Sequence, residues 1–384
     1  MSSADEAAFS LGDNEEDQPV SASGLLEEKY KKQMRQIHPQ KIELPISQIG
    51  SMIKDQIRLD PDFQRRDRWD NKKRSRFIES VIMNVPIPPV FLGEDDYGMY
   101  VVLDGRQRLT AINEFLKNSY ELQDLTVWSE LNGLRYADLE VKNLSRTLTR
   151  RFIPAVLLLK ESSPEVKYDV FDRLNTGGVK ANDMEIRNAV FQGEFNKTLH
   201  KLAENNNFRK FWEIPEDPKE LLENKIYSQM LDVELVLRFF ALQDPGKING
   251  RLKDYLSVYM KERNDAYRDD KDLVVKDTAL FERAVDSAMA VFGDGAFEKK
   301  SSDGAYRKSA PLADAVLFGL SIVDSKKLQD GDAAKLRDAL RDLFENNKDF
   351  VGAITQGTNG KGAITTRTTK TQELVKQLVP HALV

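Results

Sequence analysis

Tyr100-Val101-Val102-Leu103-Asp104-Gly105-Arg106-Gln107-Arg108-Leu109-Thr110 is the stretch on which the fold turns. Its first four residues are aromatic, β-branched or aliphatic and read as a buried strand. Asp104-Gly105 breaks that run. The apolar residues beyond it, Leu109, Ile112, Phe115 and Leu116, recur at helical spacing. A strand that turns straight into a helix is a building unit of α/β domains.

Working outward, Val90-Phe91-Leu92 reads as a neighbouring strand, separated from the first by the acidic turn Glu94-Asp95-Asp96-Tyr97-Gly98. Phe77, Ile78, Val81 and Ile82 make Asn71 to Met83 an amphipathic helix that stops before Pro86. Ile42 to Ile46 is a short strand and Ser47 to Lys54 a helical segment, so residues 42–160 form a compact α/β unit. Downstream the pattern changes. Ser163-Pro164 starts a helix through Val170, Phe171 and Leu174, and Asn175-Thr176-Gly177-Gly178 ends it. Asn182 starts another, with Glu185 placed for a reciprocal cap. Amphipathic helices are expected over Ile226 to Leu242, Leu252 to Arg263, Leu280 to Phe292 and Ala310 to Ile322. A flexible Gly/Thr-rich segment, Gly352 to Thr369, precedes a closing helix. The expected architecture is a disordered acidic tail (1–24), an α/β domain (25–160) that opens on a short basic helix (Leu25 to Ile37), and an all-α helical domain (161–384).

The bulk properties exclude several classes. The chain has 384 residues, 40% apolar and 31% charged, enough for a well-buried core. With no cysteine, disulfides and cysteine-ligated zinc or iron–sulfur centres are ruled out. Met1 to Gly24 has neither the basic start nor the apolar stretch of a secretory signal. Apolar runs such as Pro154 to Leu159 are too short to span a bilayer. A cytoplasmic protein with no membrane partner is expected. A net charge of −5 argues against wholesale wrapping of nucleic acid but leaves room for local basic faces. One is suggested by Arg58, Arg65, Arg66, Arg68, Lys72, Lys73, Arg74 and Arg76, another by Lys142, Arg146, Arg150 and Arg151. The competing reading is a solvated surface with Asp60, Asp62, Asp67 and Asp70 as partners.

The Asp-Gly turn is the chemical centre. A helix N-terminus offers backbone N–H groups and partial positive charge, which attract phosphate. Gly105 permits the tight turn, Arg106 and Arg108 can grip phosphate bidentately, and Gln107 can donate or accept. Asp104 is the odd member, because a carboxylate beside an anion is unfavourable unless it holds a metal, orients water or faces a developing cation. The plainer reading has Asp104 capping the helix and pairing with the arginines. Phe63-Gln64-Arg65-Arg66 with Trp69 forms a second polar-aromatic turn, and Asn175-Thr176-Gly177-Gly178 a third that would let backbone approach a ligand.

The order of these motifs resembles one family. Phe63-Gln64-Arg65 and Trp69, Phe77-Ile78-Glu79-Ser80, Pro86-Ile87-Pro88-Pro89, Asp104 to Thr110, Phe171 to Gly178 and Glu185-Ile186-Arg187-Asn188 are similar to the ParB/sulfiredoxin-like superfamily. The branch is that of the GmrSD type IV restriction enzymes and SspE-type anti-phage proteins. The resemblance, over about residues 42–260, implies a ParB-like α/β fold, bacterial origin and a role in phage defence. It also implies a nucleotide-handling and DNA-sensing role for the Asp-Gly-X-Gln-Arg motif, with Arg106 where glutamine is common. Such proteins usually continue into a His-rich HNH nuclease. Here His38, His200 and His381 are isolated, there is no HNH motif or phosphate loop of the GxxxxGK[ST] type, and Glu165-Val166-Lys167 matches only a fragment of a metal-nuclease signature.

Three functions are therefore expected in turn. The first is a DNA glycosylase, a hydrolase cutting the N-glycosidic bond of a modified base in phage DNA without cofactor or metal. Asp104, Arg106, Gln107 and Arg108 would be catalytic. Gln64, Arg65, Arg66, Gly105, Asn175, Gly177 and Gly178 would hold DNA phosphates, with Phe63 and Trp69 stacking on an extruded base. The second is a DNA-stimulated nucleoside triphosphatase using Mg²⁺, with Asp104 as ligand and a partner chain as output. The third is a non-catalytic block of phage replication. A homodimer or a nuclease partner is the assembly considered.

Overall fold

The computed structural model describes residues 39–59, 69–94, 98–159, 182–300 and 304–384, together with Ser162, Tyr168 and Val170. The tail at 1–24, the basic helix at 25–37, Glu165-Val166-Lys167, and the motifs at Phe63 to Arg66 and Asn175 to Gly178 lie outside the described residues.

An α/β region is followed by a largely helical one. The α/β region has strands β1 (Pro39–Pro45), β2 (Ile57–Arg58), β3 (Val90–Glu94), β4 (Tyr100–Asp104) and β5 (Phe152–Leu158). They form one mixed sheet in the order β1-β5-β3-β4-β2. Strands β1 and β5 are antiparallel, as are β3 and β4, while β3–β5 and β2–β4 are parallel. Helices α1 (Ile49–Asp55), α2 (Asn71–Ile82), α3 (Arg106–Leu116), α4 (Tyr136–Val141) and α5 (Ser145–Thr149) complete it. The 3.6-residue spacing places Leu109, Ile112 and Phe115 of α3 in one core with Ile78, Val81 and Ile82 of α2 and Leu92 and Val102 of the sheet. Each such fully buried side chain contributes about 1.5–3 kcal/mol.

The two-residue period of β4 gives this strand a second duty. Val102 faces the α/β core, whereas Leu103 belongs to the core of the helical region. The helix α6 (Asp183–Val190) packs directly on β4. It begins with the expected reciprocal cap: Asn182 accepts from the N–H of Met184 and Glu185, and Glu185 accepts from the N–H of Asn182. Then follow α7 (Glu194–Ala203), α8 (Leu231–Ala241), α9 (Leu252–Asp269), α10 (Asp272–Phe292), α11 (Ala310–Leu320), α12 (Asp332–Asn346), α13 (Lys348–Thr355) and α14 (Lys361–Leu378), with short helices at 206–211, 218–223 and 225–228. A small hairpin, β6 (Glu298–Lys300) and β7 (Tyr306–Lys308), interrupts the otherwise helical pattern.

Two expectations are corrected. The single helix over Ile226 to Leu242 is two, because Met230 adopts a left-handed φ of 55° at zero exposure. Leu231 then restarts the helix with Val233, Val236 and Leu237 inward. The Gly/Thr-rich segment is not a flexible stretch but two helices, α13 and α14, joined by a turn at residues 356–360. Threonines at 368 and 371 and the guanidinium of Arg367 are fully buried there. Asp314 accepts from both Arg367 (2.6 Å) and Arg238 (2.5 Å), and Arg367 also donates to the carbonyl of Thr358 (2.5 Å). A buried guanidinium cross-linking three elements organises what composition alone reads as loose.

Candidate functional site

Gly105 decides the shape of the site. It caps α3 in the left-handed region (φ 90°, ψ 12°), where an L side chain is strained. A Cβ added to it would lie 2.4 Å from Val90 Cγ1 and 2.8 Å from Val90 Cβ. Only glycine lets β4 turn into α3 against β3. Lacking a side chain, it also leaves the first-turn amides of α3 without a cap of its own.

Asp104 ends β4 opposite Phe91, at a register shift between β3 and β4. It does not cap α3. Its Oδ2 accepts from Arg108 Nη2 at 2.5 Å, one helical turn on, with Asp104 53% and Arg108 12% exposed. Arg108 turns inward, and its Nη1 donates to the carbonyls of Pro88 and Pro89, the latter at 3.2 Å. Burial lowers the pKa of Arg108, and the Asp104 carboxylate partly offsets this. The guanidinium thus ties three things together: the carboxylate at the strand end, the proline turn before β3, and the first turn of α3. Half of the plainer reading, pairing with an arginine, holds; the capping half does not.

Gln107 connects the turn to α2, its Oε1 accepting from the backbone N–H of Trp69 at 3.2 Å. The Trp69 ring meets Phe77 edge-on, with centroids 5.6 Å apart. Next to it Asp70 caps α2 by accepting from the Lys73 N–H at 2.7 Å. Helices α2 and α3 therefore start side by side beside Asp104. Leu59 and Trp69 both lie at this end of the sheet: Arg58, next to Leu59, pairs with Val101 of β4, and Trp69 hydrogen-bonds Gln107. Arg58 also donates to Gln192 Oε1 at 2.9 Å, tying the sheet to the helical region. Of the sequence-derived site residues, the structure brings together Asp104, Gly105, Arg106, Gln107, Arg108 and Trp69. Phe63, Gln64, Arg65, Arg66, Asn175, Gly177 and Gly178 lie outside the described residues.

The basic clusters divide into structural and unpaired members. Arg74 is structural: it pairs with Glu114 at 2.6 Å and lies over the Tyr120 ring at 4.2 Å. Lys72, Lys73, Arg76, Lys142, Arg146 and Arg150 are exposed and make no ion pair with a described residue, while Asp70 serves as a helix cap. Sequence reasoning missed Pro88 and Pro89 as partners of Arg108, since nothing local signals which carbonyls a buried arginine will find. The histidines are accounted for where described: His200 is buried against Asn188 Oδ1 at 2.9 Å, and His381 pairs with Asp332 at 2.7 Å. Among the described residues no three His, Asp or Glu side chains gather as a metal site.

The candidate site of this α/β region is thus a strand–glycine–helix turn with an arginine-braced carboxylate, flanked by surface cations that make no ion pair with a described residue. Residues 46–192 match the family model described as the GmrSD restriction endonuclease, N-terminal domain. The match covers less than half of the chain and takes in β2 to β5, the Asp104–Arg108 turn and α6. No curated protein and no solved structure matches the chain.

Proposed function

We propose that this protein is a restriction-type anti-phage factor that engages foreign DNA, and that the Asp104–Arg108 turn binds and hydrolyses a nucleoside triphosphate with Mg²⁺. The observation that carries the choice of chemistry is the Asp104–Arg108 pair. An arginine-neutralised carboxylate no longer repels phosphate, and its remaining lone pairs can take a hydrated cation. The uncapped first turn of α3 supplies the dipole and N–H donors that favour phosphate oxygens. Water would attack the γ-phosphorus, the β–γ bridging P–O bond would break, and the nucleoside diphosphate would leave with inorganic phosphate. Likeness to a restriction-enzyme domain supports the DNA half of the reading.

The test is phosphate release from each of the four nucleoside triphosphates with Mg²⁺, with and without phage DNA carrying plain or modified bases. Asp104→Asn should lower turnover by at least about 100-fold while leaving the melting transition in place. A folded wild-type protein that turns over none of the four nucleotides refutes the proposal.

Base excision is the second reading, favoured by the 53% exposure of Asp104 and by Trp69 close at hand. The ion pair weighs against it, because a carboxylate held by a guanidinium is a poorer nucleophile or base toward a cationic sugar. Abasic sites formed in modified DNA without metal, and lost in Asp104→Ala, would reverse the ranking. Protection of cells by Asp104→Ala but not by a charge-reversed basic face would instead favour a non-catalytic block.

A further inference from the structure

We propose that the outer face of α2 and the turn that follows it form a duplex-DNA contact in which Met83 and Val85 act as an apolar wedge between base pairs. The proposal rests on the DNA-binding half of the function proposed above and names the surface and the deformation involved.

At about 100° per residue, Lys72, Arg76 and Met83 lie within about 40° of one another on α2, with Lys73 at the border of the same stripe. All four are exposed, and the three cations have no ion pair with a described residue. The opposite face holds Ile78, Val81 and Ile82 in the core. Lys72 and Arg76 are about 6 Å apart along the axis, near enough for both to reach one phosphate backbone. Glu121 and Asp124 line a shallow depression with Lys72, but Glu121 is paired with Arg135 at 3.7 Å. Lys73 and Arg76 therefore carry most of the free charge.

The stripe ends in an apolar tip. Met83 is 43% and Val85 44% exposed, with Pro86 and Pro88 exposed beside them. A loose loop would bury such side chains by collapse; this one is held open. The N–H of Met83 donates to Glu79 O, that of Asn84 to Val81 O and that of Val85 to Ser80 O. Asn84 sits at φ 60°, and Arg108 grips the carbonyls of Pro88 and Pro89. A rigid turn with outward Met, Val and Pro next to a row of surface cations has the chemistry of wedges that unstack a base step while neighbouring cations hold the backbone. The same Arg108 bonds Asp104, so a load on the turn acts on the carboxylate of the site.

The experiment uses the full chain and a fluorescein-labelled duplex, with 2-aminopurine at successive positions to report unstacking. Wild-type binding should raise 2-aminopurine fluorescence at one step. K73E/R76E should weaken binding at least tenfold and make the log–log salt slope less negative by about 2. M83S/V85S should keep affinity within about threefold, keep the salt slope, and lose the fluorescence rise. Binding by wild type with no rise, or a full rise with M83S/V85S, overturns the wedge while DNA binding stands. A wild-type protein that binds no duplex overturns both the wedge and the DNA-binding half of the proposed function, whereas nucleotide turnover measured separately decides the other half.

Discussion

Replacing Gly105 with alanine should destabilise the α/β region by about 2–5 kcal/mol, through two separable effects. The residue sits at φ 90°, and placing an L side chain in the left-handed region costs about 1–2 kcal/mol. In addition the new methyl would lie 2.4 Å from Val90 Cγ1, and Val90 is itself fully buried in the sheet, so relief must come from moving β3 against β4. Overpacking of that kind costs about 1–3 kcal/mol. Gly133 is an internal control: its φ is 81°, but nothing lies within 4 Å of an added Cβ, so Gly133→Ala should show the backbone cost alone. Urea unfolding followed by tryptophan fluorescence suits the comparison, since Trp69 and Trp128 both lie in the α/β region. Gly105→Ala should exceed Gly133→Ala by about 1–3 kcal/mol and reduce phosphate release, because Arg108 Nη2 lies 3.0 Å from the added carbon. Equal destabilisation by the two substitutions would refute the view that the Val90 contact makes glycine obligatory.

Arg108→Met should lose about 1–3 kcal/mol, as the carbonyls of Pro88 and Pro89 and the Asp104 carboxylate lose their shared donor. Arg108→Lys restores the charge but not the fork, so stability in urea should fall between the two. Asp314→Asn should cost about 3–5 kcal/mol in thermal unfolding followed by circular dichroism, since it leaves Arg238 and Arg367 buried without their carboxylate. The pH dependence has a definite sign. Burial pushes the Asp314 carboxyl up, but Arg238 and Arg367 outweigh it and hold the pKa below the usual value. Its contribution is therefore present above about pH 3.9 and is lost as pH falls below that, and Asp314→Asn should lack this acid-sensitive component. An unchanged acid profile in Asp314→Asn would count against it.

The local features of the fold were legible. Helix α2 over Asn71–Ile82 and helix α3 with Leu109, Ile112 and Phe115 inward follow from periodicity within one element. The Asn182–Glu185 cap is likewise a contact between residues three apart. The end of α9 read from apolar spacing fell short at Arg263, because mostly polar residues continue the helix to Asp269. The break at Met230 was not legible, because a left-handed methionine is tolerated only where the surrounding helices hold it. The order of Gly and Thr in 352–369 suggested mobility, and it took Arg367 and Asp314, 53 positions apart, to fold that segment into helices around a buried charge.

The same division runs through the site. By itself the sequence determined that a strand meets a helix at Asp104-Gly105 and that the turn is polar, because backbone geometry and side-chain type act over a few residues. Only the tertiary structure decided what those side chains are free to do. Arg108 reaches carbonyls 19 and 20 positions away and is held by Asp104, whereas Lys72, Lys73 and Arg76 lie on the surface with no ion pair to a described residue. An arginine and a carboxylate four residues apart can pair or diverge with equal local ease. The packing of the Pro88-Pro89 turn against α3 selects the first, because Arg108 is held there by two carbonyls just ahead of the neighbouring strand β3 while it bonds Asp104.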